Sequence, residues 1–300
     1  MAPAPADPRP EVSLPGPSLR EALRWAVGFL AQSGSASPRL DAELLLAHVL
    51  GWERTQLYLR SEDLLAPAAA RRFTELVRRR AAHEPVAYLL GRRAFYDLDL
   101  AVGPEVLIPR PETELLVEEA LAWAKPLARP LNIVDVGTGS GAIALALARH
   151  LPQARVWAVD LSLAALRVAA ANARRYGLEE RVLLLCGDLL APLAGPFDLI
   201  AANLPYIAHD RLAALPPDVA AYEPPLALDG GVDGLALIRR LLDQAPARLA
   251  RPGLVVLELD QGQGEAVTAL ARAHWPQAEV TVRRDYAGLE RMVRIAIPAP

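Results

Sequence analysis

Two short stretches of this 300-residue chain hold residues whose types and spacing could do chemistry. The first is Val134-Asp135-Val136-Gly137-Thr138-Gly139-Ser140-Gly141. Alternating glycines between an apolar run and a helical pattern let the backbone pass close to a ligand, because no Cβ stands in the way. Asp160 ends the next apolar run, where a carboxylate can accept from both hydroxyls of a ribose. Asp188 follows Gly187 at the end of the run after that, within reach of an adenine edge. The second stretch is Asn203-Leu204-Pro205-Tyr206, after a fourth apolar run. The Asn203 side-chain carbonyl and the Leu204 main-chain carbonyl could accept both N–H bonds of a planar amide NH2. They would then hold its nitrogen in line with an electrophile and favour the positive charge that develops there. Pro205 fixes the local backbone, and Tyr206 offers a ring wall for a substrate or a cation.

Several ligands could answer to these residues. A dinucleotide site has the spacing G-x-G-x-x-G, with a pyrophosphate on the helix N-terminus. Here the third glycine comes one residue early. S-adenosyl-L-methionine carries no phosphate and asks for close backbone approach rather than an anion cradle, so it fits this turn better. The bland reading is a tight strand-to-helix turn without a ligand. On the acceptor side, the exocyclic NH2 of adenine suits the same loop as a side-chain amide. A non-catalytic S-adenosyl-L-methionine-binding module is a further alternative. No histidine is needed as a base, since a methylated amide sheds its proton readily. His48, His83, His150, His209 and His274 are scattered, and each reads as structural or solvated.

Behind these loops stands an alternating pattern. Strand-like runs cover Asn132–Val136, Arg155–Val159, Val182–Cys186, Phe197–Ala201, Leu254–Leu259, Glu279–Val282 and Arg291–Ile297. Helical patterns over Ala142–His150, Leu163–Tyr176 and Leu235–Ala250 separate the early ones. This predicts an α/β, Rossmann-like, doubly wound and mostly parallel seven-stranded sheet over residues 109–300, with ligands beyond the carboxyl ends of the strands. Residues 1–17 read as a flexible Pro- and Ala-rich tail, and residues 18–90 as a small helical docking domain. Its first helix opens on a capping box, Ser18 with Glu21, and carries Leu19, Leu23, Ala26 and Leu30 on one face. The second starts at Ser37-Pro38, with Leu40, Leu44, Ala47 and Leu50 as its stripe. The third, Pro67 to His83, places Phe73, Leu76 and Val77 at helical spacing. Residues 91–108 read as a linking hairpin, and Pro111 opens a helix with Leu115, Leu116 and Ala120 inward.

Composition narrows the classes further. Hydrophobic residues make up 53% of the chain, enough for a real core. A net charge of −3 gives no global reason to wrap a nucleic-acid backbone, so no stable nucleic-acid partner is expected. Arg71, Arg72, Arg78, Arg79 and Arg80, with Arg92 and Arg93 nearby, form a basic run that reads as a solvated helix face or as a dock for an acidic partner. The single cysteine, Cys186, cannot make a thiolate metal cluster, and in its apolar run it reads as a small buried residue. No metal is expected. The prolines and Asp7 of the first residues do not suit a signal peptide, and no apolar run approaches the ~20 residues of a membrane span. A cytoplasmic location is expected.

The chain also resembles the bacterial peptide chain release factor N5-glutamine methyltransferases from about Leu19 onward. The shared segments are Arg39–Ala47, Glu84–Gly91, Ile108-Pro109-Arg110-Pro111-Glu112-Thr113-Glu114, Glu223 to Gly234 and Gln261 to Val267. The stretch from Ile108 to Glu114 is the most distinctive, because generic methyltransferases lack it. The resemblance implies S-adenosyl-L-methionine as cofactor and class I peptide chain release factors as protein substrates, modified on the glutamine of a Gly-Gly-Gln motif. It further implies that Gly137, Thr138, Gly139, Ser140 and Gly141 line the methionine end of the cofactor and that Asp160 holds its ribose. Asp188 and Leu189 would flank the adenine, and Asn203 would touch both cofactor and acceptor. Leu204 stands where the family usually has proline, and Leu189 where many relatives have an aromatic residue.

Overall fold

The computed structural model describes residues 16–285 and 287–299. The expected N-terminal tail therefore falls almost wholly outside the described residues. The chain divides into two compact units, the first ending at Leu90 and the second beginning at Gly91.

The first unit is helical: α1 (Leu19–Gln32), α2 (Pro38–Leu50), α3 (Arg54–Leu59), α4 (Pro67–Ala81) and α5 (Val86–Leu90). The Ser18–Glu21 capping box opens α1, each side chain accepting a backbone N–H of the other residue. Leu19, Ala26, Leu30, Phe73, Leu76 and Val77 meet in one core. The stripe expected on α2 is corrected. Leu40 is 41% exposed, and the buried residues are Asp41, Ala42, Glu43, Leu45, Leu46 and Ala47. Two carboxylates turn inward because each finds partners there. Asp41 accepts from Arg80 at 2.7 Å and from the hydroxyls of Ser35 and Ser37, while Glu43 accepts from Arg39, Arg54 and Tyr58. Buried charge is tolerated when paired and hydrogen-bonded, and a helix that buries it loses its apolar periodicity. Arg79 is likewise bound to Glu84, at 2.6 Å, so two of the run's arginines are engaged within the unit.

The second unit opens with the hairpin β1 (Arg92–Phe95) and β2 (Leu98–Ala101), then α6 (Thr113–Ala124). Its sheet contains β3 (Asn132–Val136), β4 (Arg155–Asp160), β5 (Val182–Cys186), β6 (Phe197–Ala202), β7 (Leu249–Glu258), β8 (Glu279–Arg284) and β9 (Glu290–Ile297). The remaining helices are α7 (Ala142–His150), α8 (Leu163–Arg175), α9 (Pro217–Tyr222), α10 (Ala236–Gln244) and α11 (Gly264–His274). Strand order is β5-β4-β3-β6-β7-β9-β8, parallel through β7, with β9 antiparallel to both neighbours. This is the doubly wound, mostly parallel sheet that the alternating pattern predicts.

Side chains alternate across each strand, so β3 sends Ile133 to one core and Val134 and Val136 to the other. Residues of α6 and α7 fill the first core, and residues of α10 and α11 the second. Among the described residues no helix is long and apolar enough to cross a membrane. The expectation for Cys186 is also corrected: it is exposed. It ends β5, the edge strand, where β4 is the one neighbour in the sheet. An apolar run does not reveal whether its strand lies at the centre or the edge.

Asn172 on α8 ties the hairpin to the turn after β3. Its Oδ1 accepts from the Ala101 N–H at 2.7 Å, and its Nδ2 donates to the carbonyls of Ala101 and Ser140 at 3.0 and 2.9 Å. The side chain is completely buried. Each buried polar group left unpaired costs ~1–3 kcal/mol. Asn172→Leu is therefore expected to lower the unfolding free energy by about 3 kcal/mol or more in urea denaturation. A loss under about 1 kcal/mol would show that the tie contributes little.

Candidate active site

Parallel pairing places the candidate residues. Val136 on β3 is level with Val159 on β4 and with Ala202 on β6. The next residue of each strand, Gly137, Asp160 and Asn203, thus emerges at one edge of the sheet. The order of strands reverses its direction of growth at β3, the place where such sheets open a crevice. A cavity of about 250 Å³ lies there.

The glycine turn is held by backbone and by one carboxylate. Gly137 and Thr138 donate to the Val159 carbonyl at 2.8 and 3.0 Å. Gly137 has φ +76°, and a Cβ there would stand 3.1 Å from the Leu204 Cδ2. The Asp160 Oδ2 accepts from the Gly139 N–H at 2.8 Å, and its Oδ1 from the Ser162 N–H at 2.8 Å. Each carboxylate oxygen keeps a lone pair for a further donor. Farther along the wall, Leu189 is buried with φ +52°. Asp188 beside it accepts from Arg240 at 2.5 Å. Glu105, Asp160 and Asp188 line the cavity against one guanidinium, Arg240, which Asp188 already engages. Such a wall disfavours a phosphate and suits a neutral or cationic ligand.

The acceptor loop rests on a chain of hydrogen bonds. Asn203 donates from Nδ2 to the Thr113 Oγ1 at 3.0 Å, and the Thr113 hydroxyl donates to the Glu258 Oε2 at 2.5 Å. The Tyr206 hydroxyl donates to the Glu258 Oε1 at 3.3 Å, and the Tyr206 carbonyl accepts from Gln263. Burial pushes the Glu258 carboxyl up to about 7, and burial together with Glu258 raises the Tyr206 phenol. Before α6, Glu223 accepts from Arg110 at 2.6 Å and from the Ile108 N–H at 3.3 Å. These bonds pin the segment that leads to Thr113. Burial raises the Glu223 carboxyl while Arg110 opposes the shift.

Known proteins share much of this sequence. Residues 21–91 match the family described as PrmC N-terminal domain, and residues 133–220 the family described as Methyltransferase domain. The release factor glutamine methyltransferase of Moorella thermoacetica is 50% identical over 275 residues, 91% of this chain and 96% of that protein. That of Geobacter sulfurreducens is 44% identical over 278 residues, covering 92% and 95%. The chain belongs to the release factor glutamine methyltransferase family. The crystal structure of a methyltransferase from Pyrococcus furiosus, 20% identical with a TM-score of 0.50, covers 69% of this chain and 92% of that one, a likeness of fold.

Of the residues that the sequence singles out, Gly137, Thr138, Gly139, Ser140, Asp160, Asp188, Leu189, Asn203, Leu204 and Pro205 line the one cavity. Two do not. Gly141 caps α7 with φ +85°, and a Cβ there would press on Leu145 and Ala169, so its work is packing. Tyr206 is turned to Glu258 rather than forming a wall of the cavity. Leu204 contributes more than its carbonyl, for its side chain is buried in the second core against Gly137.

Thr113, Arg110, Glu223, Glu258 and Asp135 carry site roles that their residue types alone do not announce. Thr113 and Arg110 lie in the distinctive Ile108–Glu114 stretch. Glu258 and Asp135 are carboxylates inside apolar strand runs, a signal in itself, since such groups are rarely buried without work to do. Asp135 is fully buried. Its Oδ2 accepts from the Thr138 hydroxyl at 2.6 Å and the Ala144 N–H at 3.1 Å, while its Oδ1 has no partner among the described residues.

Burial raises the Asp135 carboxyl from 3.8 to about 7. A raised folded-state value means that the folded protein holds the proton more tightly. The stabilisation is complete below about 4 and is lost as pH rises through about 7. Asp135→Asn, which keeps one acceptor and never ionises, is expected to flatten the fall in melting temperature between pH 5 and pH 8. An unchanged slope would mean that Asp135 does not ionise in this window.

Proposed function

We propose that this chain transfers a methyl group from S-adenosyl-L-methionine to the side-chain amide nitrogen, N5, of a glutamine in the Gly-Gly-Gln motif of class I peptide chain release factors. The observation that carries this reading is the meeting of two devices in one cavity: a phosphate-averse glycine crevice and an Asn amide whose nitrogen is turned to Thr113, leaving its oxygen for a donor. With the Asn203 Nδ2 engaged by Thr113, its Oδ1 remains to accept from a substrate. An acceptor loop that offers carbonyl oxygens selects a planar NH2 group.

The bound cofactor supplies an electrophilic methyl group on a sulfonium. The residues supply position. Asp160 offers its free lone pairs to the ribose hydroxyls, Leu189 and Asp188 bound the adenine, and the acidic wall tolerates the positive sulfur. Asn203 Oδ1 and the Leu204 carbonyl accept the two amide hydrogens and hold the nitrogen facing the methyl group. They also stabilise the positive charge that nitrogen gains, after which one amide proton passes to water. No side-chain base is required for that loss.

The helical unit is the proposed dock for the release factor. Trp25, Leu40, Tyr58, Leu59 and Leu64 are large apolar side chains left exposed on it, apolar area that a protein partner could cover. With Arg79 and Arg80 held by Glu84 and Asp41, the basic run offers less to a nucleic acid. A protein substrate of translation places the enzyme in the cytoplasm.

Incubated with the cofactor, a release factor with its Gly-Gly-Gln glutamine intact is expected to gain one methyl group by mass spectrometry. The version with that glutamine replaced by alanine is expected to gain none. Asn203→Ala should lower kcat by ~10²–10³-fold, the scale of one lost transition-state hydrogen bond. Equal labelling of both release factors, or label entering RNA instead, would replace the glutamine reading with the adenine one.

A further inference from the structure

Glu258 does not itself line the cavity, yet both polar side chains of the acceptor loop lead to it. It ends β7 and is buried, with Thr113 on one carboxylate oxygen and Tyr206 on the other. Thr113 has a single proton to give. While that proton is directed to the Glu258 Oε2, the Thr113 oxygen can only accept, and its donor is the Asn203 Nδ2. The direction of the first bond therefore decides the direction of the second. An Asn amide is nearly symmetric in shape, so packing alone barely distinguishes its two orientations. The hydrogen-bond chain distinguishes them.

We propose that Glu258 is a positioning residue that, acting through Thr113, fixes the Asn203 amide with its oxygen toward the acceptor and its nitrogen away. The proposal rests on the glutamine reading for its benefit but on the geometry for its existence. A Glu258 protonated on Oε2, the oxygen that faces Thr113, would reverse the chain. Its own O–H would donate to Thr113, the Thr113 proton would turn to Asn203, and the amide would present N–H groups to an incoming N–H donor. Donor would then face donor, and the acceptor nitrogen would lose a partner. One proton taken from solvent by one carboxylate oxygen makes the whole difference.

Several groups set the charge of Glu258. Burial raises its carboxyl, Glu112 at the start of α6 adds to the rise, and Thr113, Tyr206 and Arg291 of β9 oppose it. Arg291 is itself paired with Asp285 at 2.8 Å. Around Tyr206, Asp260 reinforces the rise of the phenol and Arg110 counters it. The outcome, about 7, lies where a small change of pH changes the state of the switch. Neutral glutamine at this position cannot accept on both sides. Its NH2 must donate to Thr113 or to Tyr206.

The test uses the full chain as wild type, Glu258→Gln, Thr113→Val and Thr113→Ser. The orientation is read first without any acceptor, from the side-chain NH2 resonances of Asn203, assigned by their loss in Asn203→Asp. They are expected to shift with an inflection near neutral pH in the wild type, and to show no inflection in Glu258→Gln. Methyl transfer to a release factor is then followed from pH 5.5 to 9, with cofactor affinity measured by calorimetry. The wild-type kcat is expected to rise through the same inflection. Glu258→Gln should lose it and fall at least tenfold in kcat, with cofactor affinity within about twofold. Thr113→Val should fall similarly, and Thr113→Ser, which keeps the hydroxyl, should recover most of that loss. If Glu258→Gln does not fold, the two Thr113 variants decide the matter. Asn203 resonances that do not move in Glu258→Gln, or Thr113→Ser no better than Thr113→Val, would overturn the positioning role. Resonances that titrate through Glu258 in a protein that methylates no glutamine would instead leave the positioning role standing and sink the glutamine reading.

Discussion

Parallel strands in register are the constraint on which the rest of this enzyme depends. Because Val136, Val159 and Ala202 sit level across three strands, the turn, the carboxylate and the amide that follow them converge without any long loop reaching for the others. A slip of one residue between β3 and β4 would turn every side chain of one strand to the opposite face. It would also carry Asp160 away from the Gly139 N–H that it now holds at 2.8 Å. The fold thus brings the glycine turn, the Asp160 carboxylate and the Asn203 amide to one edge before their side chains make any contact.

A second layer of the design lies in buried carboxylates. Asp135, Glu223 and Glu258 are each held away from water with raised carboxyl pKa values, a state that costs folding free energy. Each organises backbone, hydroxyl or guanidinium donors near the cavity. Asp135 gathers Thr138 and Ala144, Glu223 gathers Ile108 and Arg110, and Glu258 gathers Thr113 and Tyr206. Stability is given up where the positions of small polar groups must be exact to a fraction of an ångström.

Most of the scaffold can be read from the chain because central parallel strands are buried on both faces and appear as unbroken apolar runs. The glycine turn, Asp160 and Asn203 are legible for a different reason: their chemistry is carried by residue type at short spacing. What escapes has a common physical origin in contacts between distant positions. Thr113 and Glu258 stand 145 residues apart, so neither announces the other. The roll of α2 depends on Arg80 and Arg54 arriving to neutralise Asp41 and Glu43. The exposure of Cys186 depends on which strand lies at the sheet's edge. Gly141 differs from its neighbours in sequence: it does not line the cavity, and its φ of +85° and the nearness of Leu145 and Ala169 to any added Cβ give it a structural reason to be glycine.

The Asn172 brace has a thermodynamic consequence of its own. One side chain grips both the hairpin and the Ser140 carbonyl of the glycine turn, so the two open as a single cooperative patch rather than independently. Whatever binds the closed turn must then raise the free energy of fraying at Ala101, and by reciprocity every increment of hairpin fraying is subtracted from affinity at the turn. Sequence changes in the hairpin would accordingly surface as altered saturation behaviour, with the transfer step itself untouched.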